Sequence, residues 1–345
     1  MDIGKKGVVF TGSAIIITTI LLTVFYVNEG APVDAFTDTS VLQLKNTNRI
    51  YDTLQRVIES QGRRAVHDSI TTRAAATNHT GNLYVNGPYS SDGVTNTKAI
   101  LAKCLTHGHF TAINRTVIKC QSIEDELGSF VDFIKNSTNT DISFEIQNVK
   151  IEEVSPYILR VTGEAATTAR DAASTSSQNV AFRIDTSIEN VPSPTYIHTN
   201  SSVEPHPYEP LIDFVPSISS WGNGTTNDVT VDNEFFEYTR GPSLLQRLGG
   251  NYTMSNCCGI ASIVNPQEVS NPNNYSHLDY HFFAQDCGTN TRRLDFSGLS
   301  DDMRASYGGF HSLNDGLQGA ILPLSFIEQT GLNESGATMT PVTCS

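Results

Sequence analysis

The sequence predicts an α+β protein that is mainly β: an N-terminal transmembrane helix and an amphipathic helix, then an antiparallel, β-sandwich-like extracytoplasmic region. Three observations carry that expectation. Residues 8–27 form an apolar run without a charge. Residues 39–76 repeat apolar side chains at helical spacing, and from residue 142 onward short segments alternate apolar with polar side chains.

Composition agrees with a hydrated, loop-rich β protein. Hydrophobic residues make up 38% and charged residues only 17%, with Ser, Thr, Asn and Gly filling the difference. The 16 Phe and 12 Tyr supply core material, which argues against a disordered chain. Net charge is −14, from 36 acidic against 22 basic residues. Nucleic acid is therefore not expected as a partner, because phosphate recognition needs basic patches. The acids are scattered and read as a solvated surface rather than a calcium array.

The first element is the run Val8–Val27. Its 20 residues match the helix length that crosses a hydrocarbon core of roughly 30 Å. Lys5 and Lys6 precede it, while Glu29, Asp34 and Asp38 follow. The positive-inside bias then leaves residues 1–7 in the cytoplasm and sends the bulk of the chain outside, with the lipid bilayer as the partner of residues 8–27. A cleaved secretory signal would have a shorter apolar core and a small-x-small site, which is not seen here. A plain signal-anchor and a type IV pilin-like leader stay open. In the second case processing falls between Gly7 and Val8. Against it, the position five residues after the cut, where many pilins carry Glu, is Gly12.

Pro32 ends the first helix, and residues 28–76 continue as linker and amphipathic helix. Leu44, Tyr51, Ile58 and Ala65 recur every seven residues, widened by Leu54 and Val57, with Asn48, Arg49, Asp52, Gln55, Glu59 and Arg63 opposite. Such a helix either packs on its own domain or, as in a pilin stalk, associates with other copies.

A first β-rich region is expected over residues 77–200 and a second over 201–345. Residues 77–103 read as loops with short strands. Ser122 starts a helix whose first turn holds Glu124, Asp125 and Glu126, with Leu127, Phe130, Val131 and Ile134 on one face. Three strands follow: Ile142/Phe144/Ile146, Tyr157/Leu159/Val161 and Val180/Phe182/Ile184. Polar loops are expected between them, at Ser155-Pro156 and over residues 165–178. Five prolines between residues 191 and 210 mark a linker or crossing loop. Later come a strand at Val229–Val231 extending toward Phe235–Tyr238 and a short helix over Pro242–Leu248 closed by Gly249. A strand at His277–Phe283 and a mostly looped stretch from Leu313 to Ser345 complete the reading.

Six cysteines, Cys104, Cys120, Cys257, Cys258, Cys287 and Cys344, all lie after the apolar run. An even count on an oxidising side suggests disulfides. Cys104–Cys120 would close a short local loop, and Cys257 or Cys258 with Cys287 is the next expectation. With no CxxC pair, zinc is the weaker reading. Glycosylation sequons stand at Asn78, Asn114, Asn136, Asn200, Asn223, Asn251, Asn274 and Asn333.

Several pieces together resemble a group of archaeal membrane-anchored surface proteins with a type IV pilin-like N-terminus. These pieces are the Lys5-Lys6-Gly7 start and the Gly62-Arg63-Arg64-Ala65 motif on the amphipathic helix. Further along come Pro242-Ser243-Leu244-Leu245-Gln246-Arg247-Leu248-Gly249-Gly250-Asn251, the stretch Gly259 to Pro266, and Leu278-Asp279-Tyr280-His281-Phe282-Phe283. The likeness is thin outside them. It implies a surface location and carries over no catalytic residue.

The sharpest chemical pattern is His277, Asp279 and His281, which would share one strand face and offer two imidazoles and a carboxylate to zinc, iron or manganese. A solvated strand face explains the same residues more simply. His107 and His109 could add ligands. Neither a Gly-x-Ser-x-Gly elbow nor a phosphate loop nor a dinucleotide fingerprint occurs. Glu152 and Glu153 are adjacent, so a strand would point them to opposite faces. Trp221, flanked by Ser and Gly, suits stacking on sugar or anchoring its own loop.

No cofactor is expected. The functional expectation is a non-catalytic, single-pass, membrane-anchored cell-surface structural or adhesive protein. One alternative is a filament subunit that self-associates through residues 8–76, placing the chain in an extracellular filament. Another is an envelope metal-dependent hydrolase built on residues 277–281.

Overall fold

The computed structural model describes residues 38–76, 93–111, 117–172, 174–193, 208, 235–264, 275–280, 290–295, 298, 319–330 and 336–342. The chain divides into two compact units, residues 1–50 and 51–345. In the first, the described part is helical from Asp38 onward. Among the described residues no helix is long and apolar enough to cross a membrane. The run 8–27 and the Gly7/Val8 junction lie outside them.

Helix α1 spans Asp38–Ala75. Within the second unit Tyr51, Leu54, Ile58 and Ala65 of the expected stripe are buried, Val57 is half-buried, and Val66 and Ile70 join the buried face; the side chain of Leu44 lies outside the described residues. The amphipathic helix thus packs on its own domain. The loop region expected over residues 77–103 is instead partly helix, α2, Gly93–His107. Its apolar residues Ile100, Leu101 and Leu105 are too close in sequence for loops and bury together. A short hairpin follows, β1 at His109–Thr111 and β2 at Val117–Lys119. The Cys104–Cys120 disulfide, S–S 2.08 Å, joins α2 to the end of this hairpin.

Helix α3, Ile123–Thr138, begins where its cap predicts. Ser122 Oγ accepts from the Asp125 amide (3.0 Å) while Asp125 Oδ2 accepts from the Ser122 amide (3.1 Å), a reciprocal capping box. Asn139, in the left-handed conformation (φ 54°), closes the helix.

Three long strands then form an antiparallel meander: β3 Asp141–Ser155, β4 Ile158–Arg170 and β5 Thr175–Ser187. The strands run much further than the apolar alternation alone indicates. The Ser/Thr/Ala-rich stretch expected as a loop over 165–178 is mostly strand, and the turn shrinks to residues 171–174. Small β-branched and hydroxyl side chains suffice there because the cross-strand ladder is continuous from Ile158–Ser187 to Arg170–Thr175. The inner face carries Ile142, Ile146, Ile151, Leu159, Val161, Val180, Phe182 and Ile184. Among the described residues helices cover it: α2 and α3 pack on β3, and Gly62 of α1 lies against Ile184. Over residues 141–187 the described structure is a three-stranded antiparallel sheet with helices packed on it.

The C-terminal part contains more regular structure than its glycines suggest. The expected His277–Phe283 strand is β9, Tyr275–Leu278, and the expected loop after Leu313 holds three elements. Strands β6 Phe236–Glu237 and β7 Ile260–Ala261 pair, and β8 Ile263–Val264, β9, β10 Thr291–Asp295, β11 Gly319–Pro323 and β12 Thr338–Pro341 form a five-stranded sheet in the order β12-β10-β11-β9-β8. Its β9–β11 pair is parallel, a departure from the all-antiparallel expectation. Helix α4, Leu244–Leu248, and helix α5, Leu324–Thr330, complete the described elements. A core of Phe236, Tyr238, Ile263, Leu278, Tyr280, Leu294, Leu322, Phe326 and Ile327 packs around this sheet. The Val229–Val231 strand and Trp221 lie outside the described residues.

Candidate functional site: a buried charged centre around helix α4

Helix α4 has five residues, too few to hold itself together by its own hydrogen bonds. Charged side chains from distant elements hold both of its ends. At the N-terminus, Ser243 makes a capping box with Gln246. Glu153 of β3 adds a second layer: Oε2 accepts from Ser243 Oγ (2.7 Å) and Oε1 from the Leu245 amide (2.9 Å). A carboxylate there also meets the positive end of the helix. Burial raises the Glu153 carboxyl above its ordinary value, opposed by these hydrogen bonds. At the other end, Arg73 of α1 donates to the Leu248 carbonyl and to Thr97 Oγ1 (3.3 Å) of α2.

From the last turn of α4, Arg247 reaches Asp279. Nη1 donates to Asp279 Oδ2 and Nη2 to Oδ1 (3.1 Å), a two-point pairing. Nη2 also donates to the Ile260 carbonyl. The guanidinium carbon lies 5.2 Å from the centre of the Phe235 ring, itself packed on Tyr208 at 4.6 Å. Both charged side chains are wholly enclosed. Burial by itself depresses Arg247, but the charge of Asp279 and the hydrogen bonds to it prevail and hold it above its ordinary value. Asp279 Oδ1 also accepts from the Tyr280 amide (2.8 Å).

Asp279, one of the three residues expected to share a metal, is engaged elsewhere. Strand β9 ends at Leu278, so Asp279 lies beyond the strand face it was to share with His277, and its two oxygens are taken by Arg247. His277 is buried, and His281 lies outside the described residues. Among the described residues no group of three or more His, Cys, Asp or Glu side chains is placed to hold a metal ion. His107 and His109 are exposed, with His109 Nδ1 2.8 Å from the His107 carbonyl oxygen. Glu152 and Glu153 do point to opposite faces, and only Glu153 turns toward α4.

Among the cysteines, Cys104 and Cys120 pair as expected. Cys257 and Cys258 are joined to each other (S–S 2.15 Å) rather than either to Cys287. Ser255 Oγ accepts from both of their amides, at 3.3 and 3.0 Å. Cys287 and Cys344 lie outside the described residues. Of the sequons, Asn136 is exposed near the end of α3. Asn251 is half-buried, its Oδ1 accepting from the Thr253 amide (3.0 Å) and hydroxyl (2.8 Å). Asn78, Asn114, Asn200, Asn223, Asn274 and Asn333 fall outside the described residues.

Three of the motif pieces in the sequence are packing devices. Gly62 admits Ile184, the 242–251 segment builds α4 with Arg247, and the 278–283 segment supplies Asp279. Sequence periodicity could not reveal Arg73 as a buried residue, since an arginine on an amphipathic helix reads as solvent-facing. The isolated Glu153 beside exposed Glu152 gave no signal of its own.

No protein-family model matches this chain, and neither a curated protein nor a solved structure matches it. What the centre does chemically therefore rests on its own geometry. The Arg247–Asp279 pair joins α4 to the residues that follow β9, while Arg73 and Glu153 join α4 to α1 and β3.

Proposed function

We propose that this chain is a non-catalytic, membrane-anchored cell-surface protein, with residues 8–27 crossing the bilayer and the domain over residues 51–345 outside the cytoplasm. The Cys104–Cys120 disulfide carries the reading, because such bonds persist on the oxidising side of a membrane. The apolar run with Lys5 and Lys6 before it and acids after it supports the orientation. The buried charges are spent on holding the fold, which suits a structural or adhesive role. Exposed Asn136 and the other sequons would carry glycans on such a surface.

Fractionation tests this. The full chain should sediment with membranes and stay there in alkaline carbonate, while a chain without residues 1–37 should be released. Recovery of the full chain in the soluble fraction would overturn the proposal.

A filament subunit is the second reading. It is favoured by one feature: α1, which follows the apolar segment, continues into the domain as the support of an antiparallel meander. Mass spectrometry of the native N-terminus separates the two. A chain beginning at Val8 supports leader processing, and an intact Met1 or Asp2 excludes it.

A further inference from the structure

The two disulfides among the described residues do different things. Cys104–Cys120 fastens helix α2 to a hairpin across a sequence separation of 16. Cys257–Cys258 links chain neighbours, a separation of 1. In the chain-entropy account a disulfide stabilises a fold through the loop it closes in the unfolded chain, and this one closes almost none. It ties no two elements together either. Added stability is therefore a weak explanation of the bond, and its reactivity is a stronger one.

Its two cysteines are not equivalent. Cys257 is exposed, whereas Cys258 is buried. A thiolate arriving from solvent meets the bond from the Cys257 side, and access is one of the factors that set the rate of exchange. In the other disulfide Cys104 is wholly buried and Cys120 half-buried. The neighbouring backbone is strapped on both sides of the pair. The Ser255 amide donates to the Gly241 carbonyl (2.9 Å), the Gly259 carbonyl accepts from the Tyr238 amide (2.9 Å), and the Ile260 amide donates to the Pro242 carbonyl (3.1 Å). The Ile260 carbonyl in turn accepts from Arg247. A few residues of chain thus separate exposed Cys257 from the buried charged centre.

We infer that Cys257–Cys258 is a site of reversible thiol–disulfide exchange, opened by a dithiol reductant that attacks at Cys257. One thiolate of the reductant forms a bond to Cys257 Sγ. The bond between the two cysteines breaks, and its electron pair leaves on Cys258 Sγ, which takes up a proton. The second thiolate of the reductant then displaces Cys257 Sγ, which is protonated in turn. The reductant departs as its own disulfide, and the protein has gained two electrons and two protons. Opening removes the small ring that holds the Cys257–Cys258 peptide and frees the backbone next to Gly259 and Ile260. The reduced form is looser there, at the straps to Tyr238 and Pro242. This inference does not depend on the membrane reading.

Graded reduction of the full chain in detergent micelles tests the site. The protein is treated with dithiothreitol, alkylated without unfolding and mapped by mass spectrometry. The Cys257–Cys258 bond should open about tenfold faster than Cys104–Cys120 or more, with Cys257 alkylated ahead of Cys258. At a reductant concentration that opens this bond alone, hydrogen exchange at the Tyr238 and Ile260 amides should quicken several-fold, while strand β4 stays unchanged. Cys257→Ser/Cys258→Ser should exchange as the reduced form does and ignore that concentration of reductant. Should this variant fail to fold, the oxidised and reduced wild-type forms still decide. Opening of Cys104–Cys120 first or at the same rate would overturn the inference. Equal exchange in the two forms would do so as well, as would a map of the untreated protein that links Cys257 or Cys258 to Cys287.

Discussion

Arg247 and Asp279, 32 residues apart, meet as a fully buried two-point ion pair that joins helix α4 to the end of strand β9. Removing one partner strands the other in a medium that solvates it poorly. Asp279→Ala or Arg247→Met should therefore each cost about 3–5 kcal/mol in urea unfolding. The double variant Arg247→Met/Asp279→Leu should cost much less than the sum, since it leaves no unpaired charge. Additive losses would show that the two side chains act separately.

The capping of α4 by Glu153 gives a second prediction. Glu153→Ala strips two donors, Ser243 Oγ and the Leu245 amide, of their acceptor. A loss of about 1–2 kcal/mol is expected, read as a lower unfolding midpoint.

Two carboxyls should move stability in opposite directions with pH. Burial raises Glu153, so the folded chain takes its proton before the unfolded chain does. Its contribution to stability therefore grows as pH falls through the folded value and levels off below the unfolded one. Asp185 is held below its ordinary value by hydrogen bonds from Arg160 and Arg183. Its contribution is present above the unfolded value and is lost as pH falls through the folded one. It amounts to at most about 1 kcal/mol, because the pair is screened by solvent. Unfolding as a function of pH in Glu153→Gln and Asp185→Asn should remove one trend each.

Two glycines should respond differently to alanine. A Cβ at Gly62 would lie 2.5 Å from Ile184 Cδ1, the mobile end of a side chain. Alanine also gains about 1 kcal/mol of helix propensity there, so Gly62→Ala should be nearly neutral, and Gly62→Leu clearly destabilising. A Cβ at Gly259 would lie 2.2 Å from the Tyr238 carbonyl oxygen and 2.4 Å from that of Gly241. Backbone cannot yield so cheaply, and Gly259→Ala should lower the midpoint more than Gly62→Ala does.

The Cys104–Cys120 bridge spans a sequence separation of 16. Replacing both cysteines by serine should cost about 3 kcal/mol, by restoring freedom to the unfolded chain. Thermal unfolding of the variant with and without reductant checks this, since wild type should shift toward the variant only when reduced.

How much of this was legible in the sequence depends on the physical signal each element leaves. The α1 stripe and the caps at Ser122 and Ser243 were readable because each has a local pattern of its own. The three meander strands were found, but not their length, since Thr167, Thr168 and Ser177 look like loop residues and sit in the ladder through backbone pairing. Helix α2 was missed because its first turn, Gly-Val-Thr-Asn, carries the composition of a loop. The charged centre was the least legible part. Arg73, Glu153, Arg247 and Asp279 come from four distant segments, and only tertiary packing turns them inward. The His277–Asp279–His281 pattern looked like chemistry for the same reason: spacing shows a shared face but not the arginine that reaches it.

Protease added to intact cells most directly tests the central claim that the domain over residues 51–345 lies outside a membrane anchored by residues 8–27. The account predicts that a C-terminal epitope following Ser345 is lost from intact cells while a cytoplasmic control protein survives. An epitope that stays protected until the cells are broken would contradict it.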